Sequence, residues 1–153
     1  MQSIKIRAAT VLDLDTLNRF QQAIVSTERS FDCTIKEGPV HYYDIADMLS
    51  SESVHFVVAA AGDVLVGCGF ARVDLAKAYL KHSRHGYLGM MYTDPDWRGQ
   101  SVNRRIVDAL KQWCASQRVT ELRLEVYADN RAATRAYEKS GFRGLMIEMR
   151  LAM

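Results

Sequence analysis

The chain has 153 residues, 48% of them apolar and 25% charged, the balance of one globular domain with enough length for a proper core. A net charge of +2 is too small to argue for a nucleic-acid partner, and no stretch approaches the roughly 20 apolar residues that span a bilayer. Three widely spaced cysteines, Cys33, Cys68 and Cys114, read as reduced thiols rather than a disulfide framework or a zinc site. With no secretory pattern at the start, a cytoplasmic protein is expected.

Ile4, Ile6 and Ala8 alternate with Lys5 and Arg7, which predicts a half-buried strand. Thr10 or Asp13 can cap a helix over residues 11–26, with Leu14, Leu17, Phe20, Ile24 and Val25 on its apolar face. That pattern breaks at residues 28–33, turns at Gly38-Pro39, and gives way to a second helix over residues 40–49. Residues 54–60 and 64–75 are β-rich about Ala61-Gly62-Asp63 and predict a hairpin. Gly67 and Gly69 inside its second strand mark a bend or a close approach of backbone. Residues 76–86 carry Lys77, Lys81, His82, Arg84 and His85 and read as a solvated basic loop. No Cys or carboxylate stands beside the two histidines in sequence, so no metal is expected.

An apolar strand over residues 87–93 follows, closed by Asp94-Pro95-Asp96. Trp97-Arg98-Gly99-Gln100-Ser101-Val102-Asn103 then leads into a helix over 101–117 that buries Val102, Ile106, Val107, Leu110 and Trp113 or Cys114. No aromatic residues interleave Arg104, Arg105 and Lys111 on that helix, so they do not make a nucleic-acid patch. A strand over 121–127 turns Leu122, Leu124 and Val126 one way and Arg123, Glu125 and Tyr127 the other. Asn130 caps a helix over 131–139 that stops at Gly141, and residues 145–151 read as a final strand. The predicted order is β-α-α-β-β-β-α-β-α-β, a single α/β (α+β) domain over residues 1–153. Its sheet is mixed and mostly antiparallel, with helices on both faces, and the two crossovers around strand 121–127 favour local parallel pairing.

Two stretches carry chemistry. A helix start leaves about four backbone amides unpartnered at the positive end of the dipole, which is a ready anion site. Here the start also carries Arg98, whose planar guanidinium suits phosphate oxygens, and Gly99, which lets backbone come close to a ligand. One helix and one strand later, Ala133 and Tyr137 stand four apart on one helical face, a narrow slot with a proton donor in it.

Together these stretches resemble the GNAT superfamily of acetyl-coenzyme A-dependent N-acetyltransferases. The family's pyrophosphate loop, Arg/Gln-x-x-Gly-x-Gly/Ala, falls on Arg98-Gly99-Gln100-Ser101-Val102-Asn103, with Ser101 and Asn103 where the family has small residues, mostly glycine. Its later motif, Asn-x-x-Ala-x-x-x-Tyr-x-x-x-Gly-Phe, runs from Asn130 to Phe142 without a gap. The resemblance implies acetyl-coenzyme A as cosubstrate, with no metal. It implies that residues 98–103, Asn130, Ala133 and Tyr137 border the coenzyme. It also implies a bulge in strand 87–93 that frees main-chain groups of Met91, Tyr92 and Thr93 for the pantetheine arm and the acetyl carbonyl. A backbone donor aimed at a developing negative charge is worth about 3–4 kcal/mol in such barriers.

The reaction implied is direct attack by a primary amine, with Tyr137 as general acid to the departing thiolate. A tyrosine pKa near 10 is close to that of a thiol, roughly 8–9, so that transfer is feasible. The connection between the first two helices borders the acceptor in this family, which brings Glu28, Phe31 and Asp32 forward as receptors for a cationic amine. The glutamate that many relatives carry two residues before the Met91 position is Gly89 here, so the base is unassigned among Glu28, Asp32, His85 and Glu125. That gap keeps open a non-catalytic acyl-coenzyme A sensor or accessory domain, or a protein-interaction module using the basic loop or Trp97. Many relatives pair, so a homodimer is compatible with the resemblance.

Overall fold

The computed structural model describes residues 2–153. Strand β1 (Ile4–Ala8) leads through a 3-10 turn at Val11–Asp13 into helix α1 (Leu14–Glu28). Asp13 explains the turn: its carboxylate takes two bonds from Arg7, at 2.8 and 2.9 Å, and one from the Thr10 amide at 2.8 Å. Helix α2 (Ile45–Ser50) is shorter than the expected 40–49, because Asp44 caps it by accepting from the Asp47 amide at 3.1 Å. Residues 40–43 are instead tied to α1. Gln21, nearly fully buried, accepts from the Tyr42 and Tyr43 amides at 3.0 and 2.9 Å, and Gln22 donates to the Val40 carbonyl at 2.7 Å.

Strands β2 (Val54–Ala61), β3 (Val64–Leu75) and β4 (Arg84–Thr93) form an antiparallel meander, and β5 (Leu122–Arg123) adds parallel to β4. The five-stranded sheet has the order β1-β2-β3-β4-β5. Helix α3 (Val102–Ser116) makes the crossover between the parallel strands β4 and β5, and α4 (Arg131–Lys139) follows β5.

The sheet carries a core on each face. On one, Val57, Ala59, Val66, Ala71 and Leu88 pack under Val102, Ile106, Leu110 and Cys114 of α3. On the other, Phe56, Val58, Cys68, Phe70 and Met90 pack against Leu17 and Phe20 of α1 and Ile45 of α2. Gly67 and Gly69 allow the close approach read from sequence: a Cβ at either would lie 2.9 Å from a side-chain carbon of α3.

Two further expected elements differ. Of the strand expected over 121–127, only Leu122 and Arg123 pair with β4. Residues 145–151, expected as a last strand, belong to no helix or strand, and Leu145, Met146, Ile147, Met149 and Leu151 are exposed. Apolar alternation marks a capacity to form a strand, but a strand also needs a neighbouring edge, and among the described residues this segment pairs with none.

Candidate active site

The loop before α3 is built by local bonds. Asp94 accepts from the Asp96 amide at 2.9 Å and sets a 3-10 turn at Pro95–Trp97. Gly99 (φ +76°) and Ser101 (φ +62°) then adopt left-handed backbone, and α3 starts at Val102. The amides of Gly99, Gln100, Ser101, Val102, Asn103 and Arg104 donate to no acceptor among the described residues. Arg98, Arg104 and Arg105 are exposed around them. Unpaired amides, a helix dipole and three guanidinium groups fit a pyrophosphate. Val102 is buried under α3, so its main chain alone is available to a ligand.

The chain opens beside that loop. On β3, pairs to β4 fall at Cys68 and Phe70, two residues apart; on β4 their partners are Tyr92 and Gly89, three apart. The extra residue is a bulge at Met90–Met91, where Met90 has φ +50°. The parallel ladder between β4 and β5 ends at Tyr87↔Arg123, so Leu124–Tyr127 part from the bulged end of β4. This gap, flanked by main-chain groups of Met91, Tyr92 and Thr93, fits a thin flexible arm reaching in from the loop at Arg98. Tyr92 itself is fixed by stacking on Phe20, with centroids 4.4 Å apart.

Helix α4 supplies the phenol. Asn130 caps it by accepting from the Ala133 amide at 3.2 Å, and the Ser140 and Gly141 amides close its end on Tyr137 and Glu138. Tyr137 packs edge-on to Phe142, centroids 6.0 Å apart. Burial, with a smaller push from the charge of Glu28, raises its pKa to about 12. Tyr137 therefore holds its proton at neutral pH.

Glu28, at the end of α1, is the carboxylate whose field reaches this phenol and also Tyr42, Tyr43 and Tyr127. Burial raises its own pKa, and Tyr42 draws it part of the way back. Phe31 stacks on Tyr127 with centroids 5.9 Å apart. An acid among aromatic rings is suited to an ammonium group carrying apolar substituents.

Asp32 was expected to share that task, and the structure gives it another. It accepts from Arg150 at 2.8 Å, from the Thr34 amide at 2.9 Å and hydroxyl at 2.6 Å, and from the Tyr127 hydroxyl at 3.3 Å. Arg150 above all, then Thr34, hold it well below the usual carboxylate range. Its oxygens are committed to tying the α1–α2 connection to residues 127 and 150. Sequence reading missed Tyr42, Tyr127 and Arg150; for Tyr127, its place on the same face as Arg123 and Glu125 was the available signal.

The missing glutamate has a structural counterpart. A Cβ at Gly89 would sit 2.5 Å from Phe70 Cζ and 3.0 Å from the Tyr43 hydroxyl, so these rings fill the space a longer side chain would need. His82 also differs from expectation: its Nδ1 lies 2.8 Å from Glu121, which Arg123 holds at 3.1 Å, so a carboxylate neighbour comes from 39 positions later. No cluster of His, Cys, Asp and Glu suited to a metal occurs among the described residues.

Residues 21–142 match the model of the acetyltransferase (GNAT) family. The chain belongs to this family. An IAA acetyltransferase of Azospirillum brasilense is 29% identical over 104 residues, 67% of this chain, which spans 62% of that protein's length. Among solved structures, a tetramutant of the BH1408 protein from Bacillus halodurans superposes with a TM-score of 0.84 at 19% identity, over 97% of this chain and 99% of that one. A predicted acetyltransferase from Clostridium acetobutylicum, solved with acetyl-coenzyme A, gives 0.75 at 18% identity, over 98% and 96%. At such identities the two structures speak for the fold.

Proposed function

We propose that this member of the family is an N-acetyltransferase that moves the acetyl group of acetyl-coenzyme A to a primary amine by direct attack. The observation that carries the reading is the bulge at Met90–Met91 opposite the early end of the β4–β5 ladder, which leaves main-chain groups facing a gap. The coenzyme supplies an activated thioester. The amides of residues 99–103, with Arg98, hold its pyrophosphate. Main-chain groups of Met91, Tyr92 and Thr93 orient the arm and donate to the acetyl oxygen as it gains charge. Asn130 and Ala133 border the arm by setting the start and the narrow face of α4.

Tyr137 is the general acid: its hydroxyl gives a proton to the departing sulfur. Its raised pKa does not spoil the match, because desolvation raises the proton affinity of a thiolate in the same site. Glu28 and Phe31, with Tyr42 and Tyr127, receive the amine, and Asp32 positions that wall. The acceptor is therefore bound as an ammonium group with an apolar body; it loses one proton to solvent to become the neutral nucleophile, and the nitrogen sheds a second as the tetrahedral adduct collapses and Tyr137 protonates the departing sulfur.

Gly89 favours a second reading, a sensor that binds the acyl-coenzyme without turnover. Tyr137→Phe separates the two in an assay of acetyl-coenzyme A consumption over a panel of primary amines. For the enzyme, kcat falls about 10²-fold while coenzyme affinity by thermal shift is retained. A wild-type chain that binds the coenzyme and consumes none with any amine overturns the enzyme reading in favour of the sensor.

A further inference from the structure

We propose that Arg150 sets the specificity of the acceptor wall. By pairing with Asp32 it takes one of two neighbouring carboxylates out of use, which leaves the wall suited to an amine with a single ammonium group. The inference rests on the amine-acceptor reading above. Asp32 stands one turn beyond Glu28, its amide bonded to the Glu28 carbonyl at 2.9 Å. The two side chains are close enough for the charge of Asp32 to add to the effect of burial in raising the Glu28 pKa. Both charges also bear on Tyr127, whose ring stacks on Phe31. Glu125 bears on Tyr43 and Tyr87 instead and is not part of this pair. Two open carboxylates a helical turn apart on an aromatic wall would suit a diamine.

Arg150 prevents that. Its Nη2 donates to Asp32 Oδ1 at 2.8 Å and its Nη1 to the Thr34 hydroxyl at 3.1 Å, so the guanidinium is held at two points. Thr34 donates to the same carboxylate oxygen from its amide and hydroxyl, and the Tyr127 hydroxyl donates to the other at 3.3 Å. The Asp32 side chain is 14% exposed and that of Arg150 59%, so the carboxylate is enclosed and the guanidinium caps it. A carboxylate already paired with a guanidinium attracts a second cation weakly, because the pair is neutral from outside. Glu28 forms no ion pair among the described residues. The wall therefore keeps one open carboxylate, Glu28, beside Phe31, Tyr42 and Tyr127.

The test is calorimetric titration of the full chain, with coenzyme A present so that no turnover occurs. The probes are pentylamine and its diamine counterpart, which carries an ammonium group at each end. The wild type is expected to bind the diamine no more than about twofold tighter, the factor that two equivalent ends supply. Arg150→Met keeps most of the stem and removes the charge. It is expected to move the ratio of affinities about 3- to 5-fold toward the diamine, the size of one partly exposed ion pair. Arg150→Lys is expected to keep the wild-type ratio, and Asp32→Asn/Arg150→Met to lose the shift. A merely structural Arg150 predicts an equal loss for both amines in Arg150→Met. That equal loss, a shift that survives in the double variant, or a wild type that favours the diamine more strongly or binds neither probe would each overturn the proposal. Consumption of acetyl-coenzyme A with the same amines tests the transfer reaction separately. Amines that bind in the expected ratios but are not acetylated remove the reaction and leave the specificity assignment standing.

Discussion

Ser101 shows how much a single residue says about the coenzyme loop. It occupies φ +62°, ψ +20°, a conformation that costs an ordinary residue about 1–2 kcal/mol and a glycine almost nothing. The family motif has glycine at this position, and the backbone here keeps the shape glycine would adopt. The loop geometry is thus preserved at the expense of local strain. Ser101→Gly relieves that strain but adds freedom to the unfolded chain, an offset of about 0.4–1 kcal/mol. The net expectation is a gain of about 0.5 kcal/mol, raising Tm by roughly 1–2 °C in a calorimetric scan. A fall in Tm would mean that the serine hydroxyl holds the loop through a bond worth more than the strain. Asn103, in the next glycine position, lies inside α3 and carries no such strain.

At the scale of elements, β4 shows why the motifs were legible and the acceptor wall was not. Helix starts, hairpin turns and the Asn130 cap depend on neighbours within a few residues, and the sequence states them outright. Tyr43, Phe70 and Gly89 come from an irregular connection and two strands, and only the fold reveals that two rings fill the glycine's missing side chain. The same holds for Asp32, whose partners beyond the adjacent Thr34 are 95 and 118 residues away. The packing at Gly89 makes a direct prediction. Gly89→Glu restores the residue that many relatives carry, yet it must push apart Phe70 and Tyr43. It is expected to cost about 1–3 kcal/mol in urea unfolding and to bring no gain in kcat. If the variant is as stable as the wild type and faster, the rings are movable and the base belongs on β4 after all.

For the whole molecule, the two cores and the segment after Phe142 differ in kind. Each core is closed within one chain by helices on the two faces of the sheet, and periodicity in the sequence was enough to foresee both. The last strand was expected from the same kind of pattern, but residues 145–151 join no ladder among the described residues, because alternation supplies a stripe and not the partner edge. Amide hydrogen exchange separates these cases because it follows the free energy of local opening. Amides of β2 and β3, bonded on both sides in the centre of the sheet, should exchange slowest and without regard to concentration. Amides of residues 145–151 join no ladder among the described residues, so they should exchange near the unprotected rate. Protection at these amides comparable to that of β2 and β3 would instead place a strand partner beside them and make the segment part of the sheet.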